Sequence, residues 1–185
     1  MYETLNHENF YACWKEICEK RHDILREVFH CTTEFTNEIL KKDDCVIDQA
    51  AAEFGKKIYH EYYSLDAVIY DEADYVVQTS NEEKHRRNYW LKRILVAFEH
   101  ENDPHTAYQE ISHLLTTKAD LRVLVTYVGE DKTDEQADKL AAITTGIIDS
   151  EILLIIGFEN KKDKKVEWKG YILSSGKANN IRHQF

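Results

Sequence analysis

Proline is nearly missing from this chain, with one residue in 185, and glycine is sparse at six. That excludes collagen-like, linker-rich and low-complexity architectures, all of which lean on those two residues. Long apolar runs are missing as well. No stretch approaches the roughly 18–20 residues of a membrane-spanning helix, and the opening M-Y-E-T-L-N-H lacks the basic and apolar regions of a signal peptide. A soluble, cytoplasmic protein with no membrane partner is therefore expected. Cys13, Cys18, Cys31 and Cys45 fall in the first quarter without any C-x-x-C spacing, which reads as reduced structural thiols. Positive charge is in deficit: the formal charge of −10 excludes a general nucleic-acid coating protein, although it leaves room for a localised basic groove. His85, Arg86, Arg87, Lys92 and Arg93 form one basic cluster; Lys161, Lys162, Lys164 and Lys165 form a second.

What is present describes a folded protein, since 43% apolar and 31% charged residues suffice for a core and a wet surface. One domain is expected over 1–185, with an N-terminal helical region over about 1–45 and a core over about 46–173. Phe10, Trp14, Ile17, Ile24, Leu25 and Val28 recur at helical spacing and predict one long or two short amphipathic helices over 8–29, extended over 32–40. Asp43 and Asp44 offer an N-cap for a helix over 46–62 that carries Glu53. The period then changes. L-D-A-V-I-Y at 65–70 predicts a strand, 71–74 a polar turn and 75–79 a returning strand, with a charged loop over 80–88. Further strands over 121–127 and 151–158, an edge strand over 166–173, and helices over 106–117 and 133–147 predict an α/β sandwich around a central mixed β-sheet.

The most informative stretch is L-K-R-I-L-V-A-F-E-H-E-N-D-P-H at 91–105. Its β-branched apolar run predicts a buried strand, and Pro104 stops a helix from passing through. Alternation along a strand puts Glu99 and Glu101 on one face, with Phe98 and His100 on the other. Two carboxylates closing a buried strand lose hydration and repel each other, so a cation or a proton is required between them. Carboxylate oxygens are hard ligands suited to Mg2+ or Mn2+. Asp66, inside an otherwise apolar strand, is a further acidic candidate.

Two motif look-alikes are excluded. V-I-Y-D-E-A-D at 68–74 has the form of a helicase nucleotide motif, yet Gly55-Lys56 supplies neither the earlier glycine nor the Ser or Thr of a phosphate loop. His100-Glu101 with His105 misses the H-E-x-x-H zinc spacing by one residue, and Pro104 breaks the helix that spacing needs. His113 is expected to pack in the following helix.

Taken together, L-D-A-V-I-Y, I-L-V-A-F-E-H-E-N, Y-Q-E-I-S-H-L-L and L-R-V-L-V-T-Y resemble the core of the PD-(D/E)XK, or restriction-endonuclease-like, nuclease superfamily over about 46–127. The resemblance implies an α/β/α sandwich and Mg2+- or Mn2+-dependent hydrolysis of phosphodiesters, with nucleic acid as partner and DNA ahead of RNA. It assigns the hairpin aspartate to Asp66, the second acid to Glu99, the usual lysine position to Glu101 and the helix glutamate to Glu53; Asp71 and Asp74 remain rivals for the aspartate. Glutamate in place of lysine removes a charge-stabilising cation, so such an enzyme leans harder on its metal. Arg86, Arg87, Lys92, Arg93 and Lys118 are candidates for phosphate contacts. The alternative is an inactive nuclease-like binding or assembly module, and eleven tyrosines with three tryptophans leave a homodimer open.

Overall fold

Central strands buried on both faces, with successive residues entering two different cores, sort this chain into three layers. The computed structural model describes residues 2–79, 87–148 and 151–181. Helices α1 (His7–Lys20), α2 (His22–Val28), α3 (Thr32–Thr36), a π turn (Asn37–Lys41) and α4 (Val46–Glu53) form the first layer. The middle layer is a seven-stranded mixed sheet. Its order is β1 (Lys57–Tyr62), β2 (Leu65–Tyr70), β5 (Val96–Glu101), β6 (Leu121–Tyr127), β7 (Ile152–Glu159), β8 (Val166–Ser174) and β9 (Lys177–Asn180). Helices α5 (Ala107–Thr116) and α6 (Thr133–Ala141) cover the opposite face. Strands β5, β6 and β7 run parallel, and the remaining pairs in the sheet are antiparallel.

Side-chain parity decides which core each strand residue joins. Val96 and Phe98 pack with the N-terminal helices, whereas Ala97 packs with Ile111 and Leu114 of α5. Trp14 anchors the first core, with its ring centre 5.8 Å from that of Phe98 and edge-on to Trp168 at 5.5 Å. Such aromatic pairs contribute about 0.5–1.5 kcal/mol beyond their buried area. Glu99 shares the parity of Ala97, so it faces α5.

Several predicted boundaries move, each for a local reason. The helix predicted over 46–62 ends at Glu53, because Gly55 takes a left-handed φ of 65° and the amides of Gly55 and Lys56 turn back onto the carbonyls of Ala52 and Ala51. Residues 57–62 are instead β1, and β1 rather than the returning strand is the hairpin partner of β2. The predicted returning strand, β3 (Tyr75–Thr79), pairs with β4 (Arg87–Leu91) in a separate two-stranded ribbon. Strand β8 is not an edge, since β9 pairs outside it. Of the one long or two short N-terminal helices expected, the chain forms two, which part at Arg21, whose guanidinium turns to the Glu38 carboxylate and the Asp44 carbonyl. No helix among the described residues is long and apolar enough to cross a membrane.

Candidate metal centre

Strands β2 and β5 run antiparallel, with Ala67 opposite Phe98, so the next step of the register brings Asp66 against Glu99. There the carboxylates reach into the ladder. The Asp66 amide donates to Glu99 Oε2 at 3.1 Å, and the His100 amide donates to Asp66 Oδ2 at 2.8 Å. Each acid thus accepts from the opposite strand, which holds two carboxyl groups side by side at the end of the pairing.

Glu99 is only 2% exposed, and among the described residues its Oε1 has no hydrogen-bond partner. Leaving a buried acceptor of this kind unmatched costs on the order of 1–3 kcal/mol. Burial pushes the Glu99 carboxyl up to about 9; the Asp66 amide opposes that rise, while the carboxylates of Asp66 and Glu110 add to it. Asp66 is also raised, chiefly by burial and then by Glu110 and Glu101, against the lowering effect of the His100 amide and Lys41. Behind the pair, burial drives His100 down to about 3, so its ring is neutral; it shares a hydrogen bond of 2.8 Å with the Tyr127 hydroxyl.

Helix α5 supplies what the sequence reading missed. Glu110 and His113 are one turn apart and share a face, as i and i+3 positions do. His113 Nδ1 lies 3.1 Å from Glu110 Oε2 and 3.4 Å from Glu99 Oε1. One ligand atom each from Glu99, Glu110 and His113 lies within 4.8 Å of the others. His113 is therefore not a packing residue; its side chain is 46% exposed and turned toward the buried acid. The clue available in the text was the E-x-x-H spacing on a helix that follows an acid-bearing strand.

The other expected site residues lie elsewhere or are otherwise engaged. Glu101 sits two residues beyond Glu99, but its Oε1 accepts from the Asp103 amide at 2.7 Å. Glu53 ends α4, where its charge acts on Tyr2 and Cys13. Asp71 is paired with Lys56 at 2.6 Å, and Asp74 closes a 3-10 turn beyond the far end of β2. Lys92, Arg93 and Lys118 line a cleft at the opposite end of β5 from Glu99, where Arg93 pairs with Asp120 at 2.6 Å. His85 and Arg86 lie outside the described residues, and Arg87 opens β4. In the second basic cluster Lys161 and Lys164 pair with Asp131 and Glu159, as a solvated turn does.

A second group, Cys45, Asp48 and His60, also brings its ligand atoms within 4.8 Å. Cys45 caps α4 and is fully buried, with its thiol pushed up to about 12 by burial. Asp48 and His60 are already joined, Nε2 to Oδ1, at 2.8 Å. No protein-family model, curated protein or solved structure matches this chain.

Proposed function

We propose that this chain is a divalent-metal-dependent phosphodiester hydrolase of restriction-endonuclease-like architecture, acting on nucleic acid, with DNA ahead of RNA. The observation that carries the reading is the interlock of Asp66 and Glu99, two buried carboxylates presented by adjacent strands in the order helix, hairpin strand, acid-bearing strand, helix, strand. The gap of 33 positions between these acids is filled by the β3–β4 ribbon, which leaves the main sheet between them.

Asp66 and Glu99 fit a hard divalent ion, because the crossed backbone bonds hold two carboxyls side by side, and burial with neighbouring carboxylates raises both. When bound there, Mg2+ or Mn2+ supplies a water acidified toward neutrality and a Lewis acid for a phosphoryl oxygen. Glu99 and Asp66 hold position through the opposing backbone, so neither has to reorganise during the reaction. Lys41 is the cation whose field reaches Asp66 and His100, and it is the residue we assign to charge stabilisation in place of a lysine at position 101. A second reading, a nuclease-like binding or assembly module, is favoured by one observation: Glu101 is tied to the Asp103 amide, not aimed at the acids.

Cleavage of DNA and RNA in Mn2+, wild type against Glu99→Gln, tests the hydrolase. The variant is expected to lose more than about 100-fold in rate with its fold intact by circular dichroism. Undiminished cleavage by Glu99→Gln overturns the assignment, and a wild type that binds metal yet cleaves neither polymer moves the protein to the second reading.

A further inference from the structure

Beyond the pair of strand acids, we infer that helix α5 completes the metal site: Glu110 and His113 join Glu99 as ligands of a single first-row transition ion, taken in preference to Mg2+. The inference rests on the hydrolase reading only for what the ion does; its binding can be measured without any substrate.

Three observations converge on it. First, Glu99 Oε1 is buried and, among the described residues, lacks a partner, and the groups facing it are a second carboxylate and an imidazole. A buried carboxylate either keeps its proton or meets a cation, and the imidazole facing that oxygen stands 3.4 Å away, longer than a charge-assisted hydrogen bond. Second, the spacing suits a metal. Donors at neighbouring corners of an octahedron with bonds of roughly 2.1–2.2 Å lie about 3 Å apart, and His113 Nδ1 stands 3.1 Å from one carboxylate oxygen and 3.4 Å from the other. Third, the donor set is mixed. Imidazole nitrogen suits the later first-row ions, whereas Mg2+ prefers oxygen donors and keeps several waters.

A bland account of His113 and Glu110 exists, since a Glu and a His three positions apart on a helix commonly pair on the surface. It explains their contact with each other. It leaves the approach of the buried Glu99 carboxyl to both of them, for which the alternative to a bound ion is a proton held between the Glu99 and Glu110 carboxyls. A bound ion explains both contacts. Mn2+ stands at the weak end of the first-row series at a nitrogen and oxygen site, where every later divalent ion binds more tightly, so it is a stringent probe.

The test is calorimetric titration of the full chain with MnCl2 and MgCl2, in wild type, His113→Gln and Glu110→Gln. Wild type is expected to bind one Mn2+ saturably and at least about tenfold more tightly than Mg2+. His113→Gln is expected to lose about 10- to 100-fold in Mn2+ affinity while Mg2+ affinity changes little, so the preference collapses; Glu110→Gln weakens both ions. The half-exposed position of His113 makes its variant safe for folding, and a melting curve checks this. A His113→Gln protein that keeps its Mn2+ preference overturns the inference, as does a wild type with no saturable Mn2+ heat. The two readings fail separately. Cleavage that needs Glu99 but ignores His113 sinks only the α5 ligands, and Mn2+ bound through His113 without cleavage of any nucleic acid sinks only the hydrolase.

Discussion

Glu99, Glu110 and His113 on one face of the sheet, and Cys45, Asp48 and His60 beside α4 and β1, draw their ligand atoms to the same 4.8 Å, yet they do opposite things. In the second group the bonding closes on itself. His60 Nε2 and Asp48 Oδ1 meet at 2.8 Å, while His60 Nδ1 is buried and, among the described residues, without a partner. The Cys45 thiol is held in its protonated form by burial. That group is a clamp between the start of α4 and the edge strand. In the first group the orphan is an acceptor, Glu99 Oε1, and only a proton or an added cation can satisfy it. Each group keeps one buried, unmatched atom, so the difference lies in charge: Glu99 has the carboxylates of Asp66 and Glu110 beside it, whereas Asp48 stands with a thiol that burial keeps protonated.

The pH dependence of stability in chelator gives the largest expected contrast. Between 4.5 and about 9 the unfolded chain has released the Glu99 proton and the folded chain keeps it, so stability falls as pH rises. His100 acts the other way, because between about 3 and 6.5 only the unfolded chain protonates it, and stability rises with pH. Chemical denaturation of wild type should thus show opposing slopes that offset one another from 4.5 to 6.5, then a decline. Glu99→Gln should remove that decline and gain on the order of 3 kcal/mol at pH 7, and Mn2+ should restore wild type alone. A decline that persists in Glu99→Gln would place the destabilising charge elsewhere.

A smaller effect is expected across the sheet. His60→Ala should lower stability by about 1 kcal/mol through loss of a part-exposed pair, with Mn2+ affinity unchanged in the same calorimeter; a fall in that affinity would erase the contrast between the groups. The smallest effect belongs to Glu101→Gln. Its amide oxygen can still accept from Asp103, so Mn2+ affinity should shift by less than about twofold. A larger loss would return Glu101 to the ligand set.

The strands that carry the site were readable because they are covered on both faces. The apolar runs at 94–98 and 121–127 leave little choice, and the alternation places Glu99 correctly on the face opposite Phe98. Strand β1 was not readable. Phe54 and Ile58 continue the helical spacing of α4, and K-I-Y-H-E-Y is a half-exposed edge whose residues show no clean apolar alternation. Gly55 was the signal that outweighed the period. The ribbon was hidden for a related reason, since R-N-Y-W-L follows a charged stretch and packs against β3 rather than the main sheet. Glu110 and His113 were legible as helix residues but not as site residues, because their partner lies on another element and a period says nothing about what a face meets.

The crossed bonds between β2 and β5 tie the charge state of the acids to the cohesion of the strands that bear them. A cation on the free oxygen of Glu99 draws charge from the other oxygen of the same carboxyl, which receives the amide hydrogen of residue 66, next to the bond from residue 100. Filling or emptying the centre is therefore felt first as a tightening or fraying of one seam, so those two backbone protons would register occupancy even in a preparation where no substrate is known.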